Sequence, residues 1–229
     1  MASYHDELAL RDRAPVFADR ADAGRHLAGM LNDFRGSHAL VAAIPAGGVP
    51  VAVEIAAGLG LELEVLPVSK ILLPWNTESG FGAVAFDGSA WVSQAAVQRF
   101  GISPDAVERS TAQARSKVEH RLTLLRGDRP LPKLAGRTVL IVDDGIAAGS
   151  TMRVAVAALR QLGAEKVVVA VPTGHASSVA AIAELADETW CANVRGGSSF
   201  AVADAYEHWY DLSDGEIAEL LEGSARIGS

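Results

Sequence analysis

The chain has 229 residues, of which 49% are hydrophobic and 21% charged, a composition typical of one α/β domain with a substantial core. Its formal net charge of −8, the lack of an apolar signal region and the lack of a long apolar run argue against nucleic-acid and membrane partners and predict a cytoplasmic protein. A single cysteine, Cys191, excludes an internal disulfide and a four-cysteine metal site, and is best explained as a small buried residue on a strand.

The first third of the chain alternates between helical and strand patterns. Apolar residues recur at helical spacing over residues 19–34, with Asp19 in position to cap the helix. Residues 39–44 predict a buried strand, residues 49–59 a helix, and residues 61–69 a second strand. This order predicts a parallel sheet with a right-handed crossover.

The middle of the chain breaks this rhythm. Proline and glycine residues punctuate short apolar pieces between residues 70 and 91, which predicts an irregular flap or a β-hairpin excursion. A loop of this length inside a compact domain is more often functional than idle. Ser103 and Pro104 then begin a helix, as N-cap and first helical residue, that runs to about Arg126.

The last part of the chain returns to alternating elements. The predicted elements are a strand at 139–142, a helix at 151–162, a strand at 166–171, a helix at 175–185, a strand at 188–192 and a helix from the Ser213 capping box to about Leu221. The predicted fold is therefore α/β, a doubly wound and mainly parallel sheet flanked by helices. We expect one domain over residues 1–229, with a flap or hood at residues 70–92, and ligands at the carboxyl ends of strands.

The stretch from Val139 to Met152 is the most informative in the chain. Four apolar residues are followed by Asp143 and Asp144, and then by a loop of small and hydroxyl residues that enters a helix. Adjacent carboxylates at a buried strand end repel each other and need partners, such as sugar hydroxyls, a metal or basic side chains. A helix N-terminus with free N–H groups favours a phosphate, so the segment predicts a sugar-phosphate site more strongly than a helix cap beside a solvated acid.

This stretch resembles the signature of type I phosphoribosyltransferases, which bind 5-phosphoribosyl-1-pyrophosphate. The resemblance covers residues 17–220 and implies the fold of that family. It implies that Asp143 and Asp144, hereafter the acid pair, hold the ribose 2′ and 3′ hydroxyls. It also implies a phosphate loop, residues 147–151, around the 5′-phosphate. The substrate-binding residues implied in this region are Gly145, Ala147, Ala148, Gly149, Ser150 and Thr151.

Two alanines depart from the family pattern. Ala148 stands where the family usually has a threonine whose hydroxyl meets the phosphate, and a hydrogen bond of that kind contributes roughly 1.5–3 kcal/mol. Weaker substrate binding is expected. Ala147 stands where hypoxanthine/guanine-type members carry an aspartate that acts as a base toward the purine, which counts against that subclass.

A second segment, residues 45–48, precedes the acid pair in the order typical of the family. By itself it could be a plain turn between strand and helix. It resembles the pyrophosphate loop, and implies that Ala46, Gly47 and Gly48 bind the leaving group. Uncharacterised members of the family read Pro-Arg-Gly-Gly-Val-Pro-Val-Ala here. Ala46 replaces that arginine, so a cation that could face pyrophosphate is missing.

Further candidates lie in the flap and beyond it. Lys70 follows the predicted strand 61–69, where the family often places a basic residue near pyrophosphate, although its position alone equally suits a surface lysine. Glu78 could face a ligand or be a solvated loop charge. Arg121 and Arg126 belong mostly to a solvated helix face, with phosphate contact the less favoured interpretation. The aromatic residues Phe200, Tyr206, Trp209 and Tyr210 predict a small core that seals the last helix, in preference to a stacking surface for a nucleobase.

The resemblance implies a phosphoribosyltransferase with Asp143, Asp144 and Lys70 as catalytic residues. It would transfer phosphoribose to a nitrogen nucleophile, such as a nucleobase, and release pyrophosphate, with Mg²⁺ held through substrate oxygens and not by protein ligands. Members of the family are often dimers, which implies a homodimer. Ala46 and Ala148 leave open a non-catalytic regulator that binds the same ligand, and a Mg²⁺-dependent nucleotide phosphohydrolase that uses Asp143 is a third hypothesis.

Overall fold

Residues 4–76 and 79–225 are described by the computed structural model, and within them strands and helices alternate along most of the chain. The strands are β1 (Leu40–Ala43), β2 (Glu62–Val65), β3 (Ser69–Leu72), β4 (Gly80–Val84), β5 (Ala90–Val92), β6 (Thr138–Val142), β7 (Lys166–His175) and β8 (Glu188–Arg195). The helices are α1 (Arg20–Met30), α2 (Gly48–Leu59), α3 (Gln94–Phe100), α4 (Pro104–Arg126), α5 (Ser150–Gln161), α6 (Ala176–Ala183) and α7 (Asp214–Ala225). None of the helices in these two ranges is long and apolar enough to cross a membrane.

The central sheet consists of parallel strands in the order β2-β1-β6-β7-β8. Helices cover both faces, and the inner strands are therefore continuous apolar runs rather than alternating ones. Along β1, Leu40 and Ala42 pack with residues of α5, whereas Val41 and Ala43 pack with residues of α1 and α2. The predicted doubly wound α/β architecture is confirmed.

The predicted strand at 61–69 is wrong, because the structure contains two short strands there. β2 ends at Val65 in the central sheet, and β3 begins at Ser69 in a second sheet. Pro67 lies between them and has no N–H with which to continue a ladder. Lys70 therefore lies within β3 and does not follow a strand of the central sheet.

Residues 69–76 and 79–92 contain a separate antiparallel sheet in the order β3-β4-β5, and these two ranges are called here the hood. The antiparallel pairing agrees with the predicted β-hairpin, to which β5 adds a third strand. The hood has its own apolar cluster, in which Ile71 and Phe81 pack against Ala114 and Val118 of α4. The long helix α4 thus fixes the hood beside the central sheet.

Strands β7 and β8 extend further than predicted, to His175 and Arg195. The sequence prediction stopped β7 before Pro172. Beyond Ala170, however, β7 pairs with β8 but no longer with β6, so a proline without an N–H is tolerated there. The extension brings Gly174 into a bridge with Ile146, which attaches the loop after β6 to β7.

Candidate functional site

The acid pair and the segment 45–48, hereafter the glycine loop, meet at the carboxyl edge of the central sheet. The acid pair follows β6 and the glycine loop follows β1, and these two strands are neighbours. The amide of Ile44 donates to the carbonyl oxygen of Val142 at 2.8 Å, so the two segments leave the sheet side by side. The structure therefore brings together residues that are about 100 positions apart in the chain.

The contact between these segments explains the two glycines. A Cβ atom on Gly47 would lie 1.7 Å from Asp144 Oδ2, and one on Gly48 would lie 2.6 Å from the Val142 carbonyl oxygen. No larger residue fits at either position without displacing the acid pair. The preceding peptide bond, between Pro45 and Ala46, is cis.

Asp144 has specific partners on both its side chain and its backbone. The Nε atom of Arg20 donates to Asp144 Oδ2 at 3.0 Å, and the Tyr206 hydroxyl donates to the Asp144 carbonyl oxygen at 2.6 Å. Arg20 in turn donates to the Tyr210 carbonyl oxygen at 2.9 Å and lies over the Trp209 ring, 3.7 Å from its centroid. The acid pair is thus tied to the start of α1 and to the segment before α7.

The charges of the acid pair are costly in this environment. Burial raises the pKa of Asp143 well above its usual value, and the neighbouring Asp144 carboxylate raises it further, against the hydrogen bond from the Asp144 amide and the charge of Lys70. Burial also raises the pKa of Asp144, but the charge and hydrogen bond of Arg20 counteract the shift. A perturbed pair of this kind in a loop at a strand end is typical of a functional site.

The phosphate loop enters α5 as the sequence predicts. Gly149 has a φ of +78°, a conformation that favours glycine, and it precedes Ser150, the first residue of α5. Gly149 has no side chain to cap the helix, so the N–H groups of the first turn can serve an anion. Ala147 and Ala148 are exposed, and the side chains of Ser150 and Thr151 are half-buried at the helix start.

Gly145 is required for packing rather than for a turn. A Cβ atom there would lie 2.7 Å from a methyl group of Val202 and 3.0 Å from one of Thr173. The residue after the acid pair is therefore packed against β7 and against the segment after β8. These contacts fix the direction in which the loop leaves the sheet.

Two residues between positions 70 and 92 were predicted to face the ligand, and the structure describes only one of them. Lys70 is exposed on β3, close enough to Asp143 for its charge to lower the pKa of that carboxyl. Its predicted role toward pyrophosphate stays a prediction. Glu78 lies outside the described residues.

The arginines of α4 have structural partners. Arg121 donates to the Pro45 carbonyl oxygen at 3.2 Å and pairs with Asp214, at 3.0 Å, so it holds the glycine loop from the side of α7. Arg126 is buried, where it forms an ion pair with Glu64 and donates to backbone carbonyl oxygens. Neither arginine belongs to a solvated helix face.

Sequence reasoning missed Arg20 and undervalued Tyr206. The preference for a core at Tyr206 is correct, since its ring is buried with Phe17 and Ile217, but its hydroxyl also holds the acid pair. Trp209 and Tyr210 are exposed and do not belong to that core. The sequence feature that could have identified Arg20 as a site residue is its position at the start of a predicted helix, where a cation is unfavourable.

Metal-binding side chains are not clustered in the part of the chain that the structure describes. Within it, no group of three or more histidine, cysteine, aspartate or glutamate residues could hold a metal ion. The expectation that Mg²⁺ is held through substrate oxygens stays a prediction.

Comparisons with known proteins identify the family. The model of the phosphoribosyl transferase domain matches residues 84–204. The protein named "Putative phosphoribosyl transferase MT0597" from Mycobacterium tuberculosis (strain CDC 1551 / Oshkosh) is 37% identical over 211 residues, which are 92% of this chain and 47% of that protein. "Putative phosphoribosyl transferase Rv0571c" from strain ATCC 25618 / H37Rv gives the same figures. The chain therefore spans about half the length of these curated relatives.

A solved structure agrees with the sequence matches. The crystal structure of TT1426 from Thermus thermophilus has a TM-score of 0.73 and 33% sequence identity, and the match covers 90% of this chain and 97% of that one. Together with the family model and the arrangement of the acid pair beside the glycine loop, this match shows that the chain belongs to the type I phosphoribosyltransferase family.

Proposed function

We propose that this chain transfers the phosphoribosyl group of 5-phosphoribosyl-1-pyrophosphate to a nitrogen nucleophile, such as a nucleobase, and releases pyrophosphate. The observation that carries the proposal is the contact of the acid pair with the glycine loop, where Asp144 Oδ2 leaves no room for a Cβ atom on Gly47. In this substrate the pyrophosphate is attached to C1 of the ribose, next to the carbon that carries the 2′ hydroxyl. Its binding site therefore needs carboxylates for the hydroxyls directly beside N–H groups for the pyrophosphate. Membership of the family supports the same activity.

In this proposal each segment binds one part of the substrate. Asp143 and Asp144 accept hydrogen bonds from the ribose 2′ and 3′ hydroxyls. The N–H groups at the start of α5, with the hydroxyls of Ser150 and Thr151, bind the 5′-phosphate. The backbone N–H groups of Ala46 and Gly47 face the pyrophosphate, since Pro45 has no N–H group and that of Gly48 donates to the Ile44 carbonyl oxygen.

The reaction breaks the bond between C1 of the ribose and the pyrophosphate oxygen. Positive charge then develops on C1 and negative charge on the leaving group. The glycine loop and Lys70 stabilise the leaving group, and the acceptor nitrogen forms its bond to C1 and releases its proton to solvent. The chain acts mainly by positioning and electrostatic stabilisation.

Magnesium fits the chemistry of this edge of the sheet. The carboxylate oxygens of the acid pair are of the kind that a hard cation favours, directly or through water, and the amide N–H groups nearby suit the substrate phosphates that would carry it. When bound, Mg²⁺ offsets the charge of the departing pyrophosphate.

Calorimetry with Mg²⁺ and 5-phosphoribosyl-1-pyrophosphate tests the proposal. We expect the wild type to bind, and the double variant Asp143→Asn/Asp144→Asn to lose at least tenfold in affinity because each charge-assisted hydrogen bond contributes about 1.5–3 kcal/mol. Asp33→Asn is the control, since Asp33 is exposed beyond the far end of α1. Absence of binding to the wild type, or equal binding by the double variant, would refute the proposal.

A second candidate is a non-catalytic regulator that binds the same ligand. It is favoured by Ala46 and Ala148, which lack the guanidinium and hydroxyl groups that the family pattern places there. The discriminating measurement is the release of pyrophosphate across a panel of nucleobases. Release with any base removes this candidate, whereas binding without release removes the transferase.

A further inference from the structure

Arg20 is a buried cation with three partners, one of which is Asp144 of the acid pair. Its side chain is only 8% exposed and contacts Asp144 Oδ2, the Tyr210 carbonyl oxygen and the face of Trp209. Two nitrogen atoms of the guanidinium, Nε and Nη1, donate hydrogen bonds, and one face of it lies against an aromatic ring. The group therefore has little freedom to move. Its charge is therefore held in a fixed place beside Asp144.

Helix formation does not explain an arginine at this position. Arg20 is the first residue of α1, where the helix dipole disfavours a positive charge. The needs of the helix are met by others, because the side chain of Asp19 accepts from the Asp22 amide at 2.7 Å and Asp22 adds negative charge to the first turn. A cation at a helix N-terminus is unfavourable for the helix itself, so we attribute the arginine to its contact with Asp144, which is distant in the sequence.

The packing of α1 on α2 brings Arg20 to the acid pair. A Cβ atom on Gly24 would lie 2.5 Å from the Val51 carbonyl oxygen and 2.8 Å from Glu54 Cβ, so the two helices approach as closely as a glycine allows. The glycine loop leads directly into α2. The same helix pair thus positions both Arg20 and the loop.

Asp144 is consequently held between two fixed surfaces. Its Oδ2 lies against Gly47 on one side and accepts from Arg20 on the other, while Tyr206 holds its carbonyl oxygen. We infer that Arg20 is a positioning residue for the acid pair, which orients the Asp144 carboxylate so that its other oxygen, Oδ1, accepts the ribose 2′ hydroxyl. This inference rests on the proposed function.

The inference predicts a specific loss when Arg20 is removed. Without the guanidinium, the Asp144 carboxylate loses its fixed orientation, and its hydrogen bond to a ribose hydroxyl weakens. The partners of Arg20 are Asp144, Tyr210 and Trp209, none of which belongs to the start of α5, so we expect binding of the 5′-phosphate there to be preserved. Arg20→Gln should therefore lower the preference for ribose over deoxyribose, whereas a variant that is only less stable binds both sugars less well by the same factor.

The experiment compares the dissociation constants of ribose 5-phosphate and 2-deoxyribose 5-phosphate, measured by calorimetry on the folded full chain. We expect the wild type to prefer ribose 5-phosphate, and Arg20→Gln to lose this preference by about tenfold, the effect of one charge-assisted hydrogen bond. Arg20→Lys retains a charge next to Asp144 and should recover part of the preference. It also tests the inference if Arg20→Gln does not fold.

Arg25→Gln is the matched control, because Arg25 is also an arginine of α1 but is 57% exposed and pairs with Asp22 and Glu54. It should keep the wild-type preference. An unchanged preference in Arg20→Gln, or equal losses in Arg20→Gln and Arg25→Gln, overturns the inference while the proposed function stands. A wild type that binds 5-phosphoribosyl-1-pyrophosphate with no preference between the two sugar phosphates also overturns only the inference, whereas a wild type that binds none of the three ligands overturns the proposed function.

Discussion

The two carboxylates of the acid pair are neighbours in the chain but differ in their surroundings. Asp144 has a partly buried ion pair with Arg20, whose own side chain is buried. Asp143 lies in a similarly dry place, with the Asp144 amide and the more distant charge of Lys70 as its favourable partners. Ionising Asp143 therefore lowers the stability of the folded chain, as is common where a site is built for a ligand.

Asp143→Asn should stabilise the ligand-free protein at neutral pH. Because the pKa of Asp143 is raised in the folded state, ionising it there costs more than in the unfolded chain. The gain should be absent at a pH below the ordinary pKa of aspartate, grow as the pH rises, and level off above the folded-state pKa. Thermal unfolding measures it, with about 2–4 °C expected for each kcal/mol.

Asp144→Asn is the matched comparison and should stabilise the protein less than Asp143→Asn does. The pKa of Asp144 is raised as well, but this substitution leaves the Arg20 guanidinium buried without its counter-charge, which offsets the gain. Equal melting-temperature changes in the two variants would contradict the different surroundings assigned to the two residues.

At the level of elements, the site depends on how closely α1 and α2 pack. The two helices present different parts of the site, Arg20 from the first and the glycine loop at the start of the second. Gly24 sets their separation, because nothing larger fits against Val51 and Glu54. Binding of a ribose should therefore be sensitive to a helix contact that does not touch the ligand.

Gly24→Ala should destabilise the protein by about 1–3 kcal/mol, the usual cost of overpacking, and weaken binding of 5-phosphoribosyl-1-pyrophosphate. Gly29→Ala is its control on the same helix, since nothing lies within 4 Å of a Cβ atom there. That change should be neutral or stabilise by roughly 0.5–1 kcal/mol, because alanine favours a helix interior. Urea unfolding and calorimetry measure both effects. If the two variants are equally stable, the helix contact is not tight.

At the level of the whole molecule, the far edge of the central sheet is covered by the start of the described chain. The His5 amide donates to the Thr189 carbonyl oxygen, the Cys191 amide donates to that of His5, and the rings of His5 and Trp190 stack with centroids 3.9 Å apart. This contact closes the edge of β8, which would otherwise be an exposed strand edge. Cys191 lies beneath it with no solvent exposure.

The Cys191 thiol should react with a thiol reagent only when the molecule opens. Burial raises the pKa of this thiol, so the folded protein exposes no thiolate. We expect slow labelling of the native protein, rapid labelling in urea, and slower native labelling with Mg²⁺ and 5-phosphoribosyl-1-pyrophosphate, because a ligand that binds the folded state disfavours opening. Rapid labelling of the native protein would show that the β8 edge opens locally.

The predictions that held depend on local patterns. The apolar run of β6, the cap at Asp19, the Ser103-Pro104 start of α4 and the Ser213 capping box all appear where the sequence places them. The strand at 61–69 failed because periodicity does not show where a chain leaves one sheet for another. Pro67 was the available signal, and its meaning depended on the neighbouring strand.

The sequence by itself therefore determined the alternation of strands and helices, the family and the segments that make up the candidate site, because each of these is encoded in contiguous residues. Only the tertiary structure decided what surrounds the acid pair. Arg20 lies 124 residues from Asp144 and Tyr206 lies 62 residues away. Contacts of that kind arise from the packing of α1 and of the segment before α7 against the sheet edge, and no local pattern specifies them.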